Sequence, residues 1–113
     1  MSRIFGIPYA DVYPLYVKKL ERKGRTPAEL DQVTEWLLGY SPAEVQKLIT
    51  AGTTCKDFVD KARLNPAADM ITGVICGVKV QEVEDPTMQR IRYLDKLVDE
   101  LYYGKSMEKV LRN

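Results

Sequence analysis

Apolar residues recur at helical spacing along most of the chain. Leu30, Val33 and Leu37, for example, lie three and four positions apart and would share one side of a helix. Similar stripes mark a buried side in the other segments that we predict to be helical. The predicted helices cover residues 12–23, 27–38, 42–51, 55–62 and 86–103, and a final turn follows Ser106. This pattern indicates a chain built mainly from helices.

Helix-capping residues stand at the ends of these segments. The sequences TPAE at 26–29 and SPAE at 41–44 are capping boxes, in which a hydroxyl and a glutamate satisfy backbone N–H groups of the first turn. These repeated helix starts favour an all-α chain. Further N-caps are assigned to Asp11, Thr54, Asn65 and Asp85. The left-handed residue that commonly ends a helix is assigned to Gly24, Gly39, Gly52 and Gly104.

The segment MITGVICGVKVQEV, residues 70–83, fits either a helix or a strand. Four of its apolar residues follow the helical spacing, whereas its β-branched residues and the alternation of Val78 and Val80 favour a strand. A strand needs a partner, and we find one other candidate, at residues 3–7. We therefore predict an all-α fold, a compact bundle of five to six short helices around a buried apolar helix near residues 67–82. The alternative is an α+β fold with one short strand pair.

Length and charge limit the classes of protein to which the chain can belong. Its 113 residues predict a single domain over 1–113. With 17 basic and 16 acidic residues the net charge is +1, which argues against nucleic-acid binding by bulk charge. No stretch has the length of apolar sequence that a membrane span needs, and Pro8, Asp11 and Pro14 interrupt any signal-peptide core. We expect a cytoplasmic protein that does not bind a membrane.

Several catalytic chemistries are excluded because the chain has no histidine. Ser/His and Cys/His nucleophile pairs and imidazole metal ligands are all absent. Cys55 and Cys76 are 21 positions apart and form no metal-binding motif, so we expect two free thiols, no metal site and no cofactor. The charged residues of the last long helix, among them Arg92, Asp95 and Glu100, are interpreted as a solvated face. No catalytic residue is assigned.

Two glycines mark a candidate contact surface. Gly73 and Gly77 are four positions apart and would share one face of the helix predicted at 67–82. Small residues let a second helix approach closely, so we expect a helix crossing there, either within one chain or between two copies.

Tyrosines and basic residues form two further candidate surfaces. Seven tyrosines against two phenylalanines suit half-buried rims and interfaces, because the ring packs while the hydroxyl stays in water. The tyrosines chosen as interaction residues are Tyr9, Tyr13, Tyr102 and Tyr103. Residues 1–25 carry six basic and two acidic side chains, a net charge of +4, and residues 26–60 carry the reverse, a net charge of −4. The basic patch consists of Lys18, Lys19, Arg22, Lys23 and Arg25.

Three blocks of the chain resemble a known bacterial family. They are ITGVICGVKVQEVEDPTMQRIRYLDKLVDEL, VYPLYVKKLERKGRT and WLLGY. Together they are similar to the bacterial domain-of-unknown-function family 2200, and the likeness extends from about Ile4 to Arg112. The resemblance implies a small, cytoplasmic, single-domain bacterial protein, and it brings no catalytic residues to this chain.

The function that we predict from the sequence is that of a non-enzymatic helical protein-interaction module, which could form a homodimer or bind another protein. One alternative is a small enzyme that uses carboxylate, tyrosine, lysine or cysteine groups, with Cys76 beside Lys79 and a tyrosine as its best arrangement. The other alternative is weak nucleic-acid binding through the basic patch.

Overall fold

The computed structural model describes residues 3–112 and is mainly helical. The helices within this range are α1 Tyr9–Glu21, α2 Pro27–Leu38, α3 Pro42–Thr50, α4 Cys55–Asp60, α5 Pro86–Tyr102 and α6 Met107–Val110. Short 3₁₀ turns lie at Arg3–Gly6, Pro66–Met70 and Val80–Glu82. One antiparallel hairpin pairs β1 Val74–Ile75 with β2 Val78–Lys79. The helical class is confirmed, in the variant with one short strand pair.

Local capping explains why most helix ends match the sequence prediction. The hydroxyl of Thr26 accepts the N–H of Glu29 at 3.3 Å, and the carboxylate of Glu29 accepts the N–H of Thr26 at 3.2 Å. A second complete box begins α3, and Gly39 ends α2 with φ of +75°. The predicted bounds of α2 are therefore confirmed at both ends, and α3, α4 and α5 end within two residues of their predictions.

The predicted start of α1 is wrong. The helix begins at Tyr9 rather than at residue 12, and Pro8, not Asp11, is the residue before it. No side chain caps this helix. Instead the N–H of Tyr9 donates to the carbonyl of Thr53 at 2.9 Å, and the N–H of Cys55 donates to the carbonyl of Ile7 at 2.8 Å. A distant stretch of backbone thus satisfies the first turn, which local sequence does not reveal.

The buried helix predicted near residues 67–82 is also wrong, since this segment forms the hairpin and its flanking turns. Gly73 and Gly77 have φ of +115° and +76°, which a right-handed helix does not allow. They therefore do not share a helix face. A Cβ at Gly73 would come within 3.0 Å of the Lys96 side chain, whereas the space around Gly77 is open. Because this segment is not a helix, no helix crossing forms at these glycines within the described part of the chain.

The hairpin forms because the segment supplies both strands itself. Ile75 pairs with Val78, so the loop between the strands holds only two residues, Cys76 and Gly77. Both loop residues have positive φ, +53° and +76°, as a type I′ turn requires. The partner strand considered at residues 3–7 forms a 3₁₀ turn instead.

Replacing Cys76 with asparagine should stabilise the protein. A left-handed backbone costs an ordinary residue about 1–2 kcal/mol, and asparagine tolerates it better, so the free energy of unfolding should rise by roughly 0.5–1 kcal/mol. Urea denaturation measures this change. Cys76→Ser is the matched control, because serine removes the thiol without that backbone preference. If both variants change the stability equally, the gain does not come from the turn.

The central element of the fold is helix α5, not the segment at residues 67–82. It packs against α1, α2, α4, α6 and the hairpin segment. Its buried stripe meets fully buried residues of the surrounding helices, which include Leu20, Leu30, Leu37 and Phe58. None of the helices between residues 3 and 112 combines the length and the apolar character that a membrane crossing requires.

Candidate functional site

An apolar cleft of about 440 Å³ lies between the Arg3–Gly6 turn, α1, α4 and α5. Clefts of roughly 300–1,000 Å³ with mainly apolar walls are typical of small-molecule sites. The apolar side chains that line this cleft include Ile4, Ile7, Val12, Leu15, Ile91 and Leu94. This site between the Arg3–Gly6 turn, α1, α4 and α5 is the cleft.

The backbone pairing that begins α1 also builds the cleft. Pro8 forms an antiparallel bridge with Thr54, and the Arg3–Gly6 turn packs on α4. Phe5 of that turn is buried, whereas Leu15 of α1 is 64% exposed. The N-terminal turn therefore closes one side of the cleft, and Leu15 presents apolar surface at its edge.

A carboxylate on α5 holds a polar network among these apolar walls. The hydroxyl of Tyr16 donates to Oδ1 of Asp95, and Nη1 of Arg92 donates to Oδ2 at 3.1 Å. Burial raises the pKa of Asp95 above its usual range, although the hydrogen bond from Tyr16 and the charge of Arg92 oppose the shift. Both carboxylate oxygens are thus hydrogen-bonded inside the protein.

Tyr9 and Cys55 add two further polar groups to the lining. The ring of Tyr9 stacks on Phe58 with 3.8 Å between centroids. Its hydroxyl is buried and has no hydrogen-bond partner within residues 3–112. Burial, assisted by the nearby carboxylates of Asp95 and Asp11, raises the pKa of the Cys55 thiol to about 11. The thiol is therefore protonated at neutral pH and is a poor nucleophile.

The raised pKa of Asp95 has a consequence for stability. The native state holds this proton more tightly than the unfolded chain, so the contribution of Asp95 to the free energy of unfolding falls as pH rises above about 3.8, until the folded-state pKa is passed. In urea melts over a pH series, wild type should therefore lose stability relative to Asp95→Asn as pH rises.

Asp60 provides the matched control for this measurement. Burial acts to raise its pKa, but hydrogen bonds from Lys56 and Thr87 outweigh burial and hold the pKa below its usual value. Its contribution is lost as pH falls, so wild type should gain stability relative to Asp60→Asn as pH rises. Equal slopes for the two variants would contradict the assignment at Asp95.

The structure places the four candidate tyrosines in two separate clusters. Tyr9 lies in the core at the cleft and is not a surface residue. Tyr13 packs edge-on to it, and the hydroxyl of Tyr13 donates to Asp31 at 3.2 Å. Tyr102 and Tyr103 lie at the end of α5, where Tyr103 is 75% exposed. The four rings do not form one interaction surface.

Internal contacts engage three of the five basic-patch residues. Lys19 lies 3.4 Å from a carboxylate oxygen of Asp99, and its ammonium and that of Lys23 lie about 5 Å from the ring centre of Tyr102. Arg25 donates to the carbonyl of Lys105 at 2.9 Å and pairs with Glu29. Lys18 and Arg22 are exposed, with no ion pair to another described residue.

The cleft residues that sequence reasoning missed carried a recognisable pattern. Asp95 was interpreted as part of a solvated face, yet it follows Ile91 and Leu94 and precedes Val98 at the spacing of the buried stripe. Tyr16 lies on the side of α1 that packs against the core. This spacing was a signal that could have identified Asp95, because a residue within a buried stripe of a helix is itself drawn toward the core.

A second depression, of about 610 Å³, lies at the C-terminal end of α5 and is mainly polar. Glu100 is 7% exposed there and pairs with the guanidinium of Arg112 and the ammonium groups of Lys96 and Lys105. The contacts of Lys105 and Arg112 join the chain on both sides of α6 to α5. The solvated-face interpretation of Glu100 is therefore wrong. No three cysteine or carboxylate side chains within residues 3–112 converge as a metal site would need.

Comparison with known proteins places the chain in a family. No curated protein matches it. The crystal structure of the uncharacterized protein SP1917 is similar, with 42% sequence identity and a TM-score of 0.92, and the match covers 99% of this chain and 93% of that one. The family model described as "Uncharacterized protein conserved in bacteria (DUF2200)" matches residues 3–112 and confirms the resemblance found in the sequence. The chain belongs to this bacterial family, DUF2200.

Proposed function

We propose that the protein is a cytoplasmic, non-enzymatic module that binds a small, mainly apolar molecule in the cleft. The observation that carries this proposal is an apolar cavity lined in part by Tyr9, whose buried hydroxyl has no hydrogen-bond partner within residues 3–112. A buried hydroxyl without a partner costs roughly 1–3 kcal/mol. A ligand carbonyl or hydroxyl would offset that cost, while the ligand body would cover the apolar walls.

The lining favours binding over catalysis. Cys55 is protonated at neutral pH, and the oxygens of Asp95 are engaged by Tyr16 and Arg92. Cys76, on which the enzyme alternative depended, is exposed in the hairpin loop and does not line the cleft.

The protein-interaction hypothesis remains a prediction alongside this proposal. The exposed apolar residues Met70, Val74 and Val78 of the hairpin segment favour it, with a second copy of the chain as the expected partner. Sedimentation equilibrium tests it. A wild-type monomer at all concentrations would argue against a homodimer.

Binding of a neutral fluorescent probe tests the cleft proposal. N-phenyl-1-naphthylamine becomes bright in apolar surroundings, and it should bind wild type with saturation. Leu15→Glu places a charge at the cleft edge, so it should weaken probe binding by about five- to tenfold, in keeping with the value of a partly buried leucine side chain.

Val74→Glu is the matched control, because Val74 is similarly exposed but lies outside the cleft. It should leave probe binding unchanged, and circular dichroism should show that both variants are folded. Failure of wild type to bind the probe, or equal losses in the two variants, would overturn the proposal.

A further inference from the structure

We propose that the ligand of the cleft carries a carboxylate, which Arg3 and Arg92 bind. This inference rests on the proposed function and specifies the chemical class of its ligand: a carboxylic acid with an apolar body.

The cleft lining carries an excess of positive charge. Its charged side chains are Arg3, from the N-terminal turn, Arg92 and Asp95, both from α5. Two guanidinium groups and one carboxylate therefore line the cleft, and the excess positive charge favours an anion over a cation or a neutral head group.

Asp95 leaves most of the hydrogen-bonding capacity of the arginines unused. Arg92 donates one nitrogen to Oδ2 of Asp95, and the other oxygen of Asp95 accepts from Tyr16. The remaining nitrogens of Arg92 and the guanidinium of Arg3, a residue exposed to solvent, have no hydrogen-bond partner within residues 3–112. A guanidinium presents five donors in a planar arrangement that matches the two oxygens of a carboxylate.

The cleft also provides room for the apolar part of such a molecule. Ile4 lies on the same turn as Arg3, and Ile91 is adjacent to Arg92 in α5. Apolar walls thus accompany both arginines. A carboxylate held between the arginines would leave its hydrocarbon chain against these walls, where burial of apolar surface contributes the remaining affinity.

Competition against the neutral probe tests this inference with two ligands that differ only in the head group, decanoate and decanol, each below the concentration at which it aggregates. Decanoate should displace the probe from wild type. Arg3→Met and Arg92→Met keep much of the side-chain length and remove the charge, so each should weaken decanoate binding by about tenfold or more, the usual value of a charge-assisted hydrogen bond. Decanol binding should change less than twofold in either variant.

Arg22→Met is the matched control, because Arg22 is exposed on the chain just after α1 and does not line the cleft. It should leave both ligands unaffected. If the probe binds wild type but decanoate does not displace it, or if its affinity survives both arginine substitutions, the carboxylate assignment is overturned and the cleft proposal stands. If the probe itself fails to bind wild type, both are overturned.

Discussion

Replacing Phe58 with alanine should lower the free energy of unfolding by about 3–5 kcal/mol, the usual cost of deleting a buried phenylalanine ring. The side chain is fully buried on α4. Its ring stacks on Tyr9 and lies 5.0 Å, centre to centre, from the ring of Tyr40. Removal of the ring would leave a void beside the cleft that the packed helices cannot fill. Urea unfolding followed by circular dichroism and by the fluorescence of Trp36 would measure the loss.

Two variants control for this result. Phe58→Leu retains much of the side-chain volume and should cost clearly less than the alanine variant. Tyr103→Ala removes an aromatic ring that is 75% exposed and should be nearly neutral. A loss below about 1 kcal/mol for Phe58→Ala would contradict the stacked core, because removing a fully buried ring normally lowers the free energy of unfolding by several kcal/mol.

Replacing Glu100 with alanine should have an effect of similar size, about 3–5 kcal/mol, because it leaves buried cations without their partner. Arg112 binds both oxygens of Glu100, with 3.0 Å between Nη2 and Oε2, and its side chain is only 12% exposed. Lys96 is also largely buried, whereas Lys105 is exposed and contributes little. Urea denaturation measures the change, and Glu84→Ala on the exposed surface should be nearly neutral.

A double-mutant cycle separates this ion pair from general damage to α5. Arg112→Met alone should also destabilise the protein. In the Glu100→Ala background it should cost less, because the coupling between contacting charged residues is typically about 0.5–3 kcal/mol. Strictly additive losses would show that Glu100 and Arg112 do not interact.

The hairpin shows where local sequence patterns failed. Its strands are two residues each, too short for alternation to distinguish them from a helix. The turn residue Cys76 gives no turn signal, because type I′ turns usually carry asparagine, aspartate or glycine at that place. The left-handed backbone at Gly73 and Gly77 excludes the helix, and sequence alone does not reveal which glycines adopt it.

The cleft shows a different limit. Its apolar residues were recognisable as buried stripes, but their association was not. Tyr16 and Asp95 are 79 positions apart in the chain, and they meet only because α1 packs on α5. Lys19 of the basic patch likewise pairs with Asp99 only because α1 packs on α5. Charge counts along the sequence could not predict either pairing.

The sequence by itself determined the helical class, both ends of α2, and the capping boxes at Thr26 and Ser41. These features follow from backbone N–H and C=O groups that residues within three or four positions satisfy, so the information is local. Tertiary structure decided the start of α1, the central place of α5, and the grouping of Arg3, Arg92, Tyr9 and Asp95 around one cleft. Those features depend on which distant segments bury each other, because burial and long-range hydrogen bonds are satisfied by the whole fold rather than by neighbours in the chain.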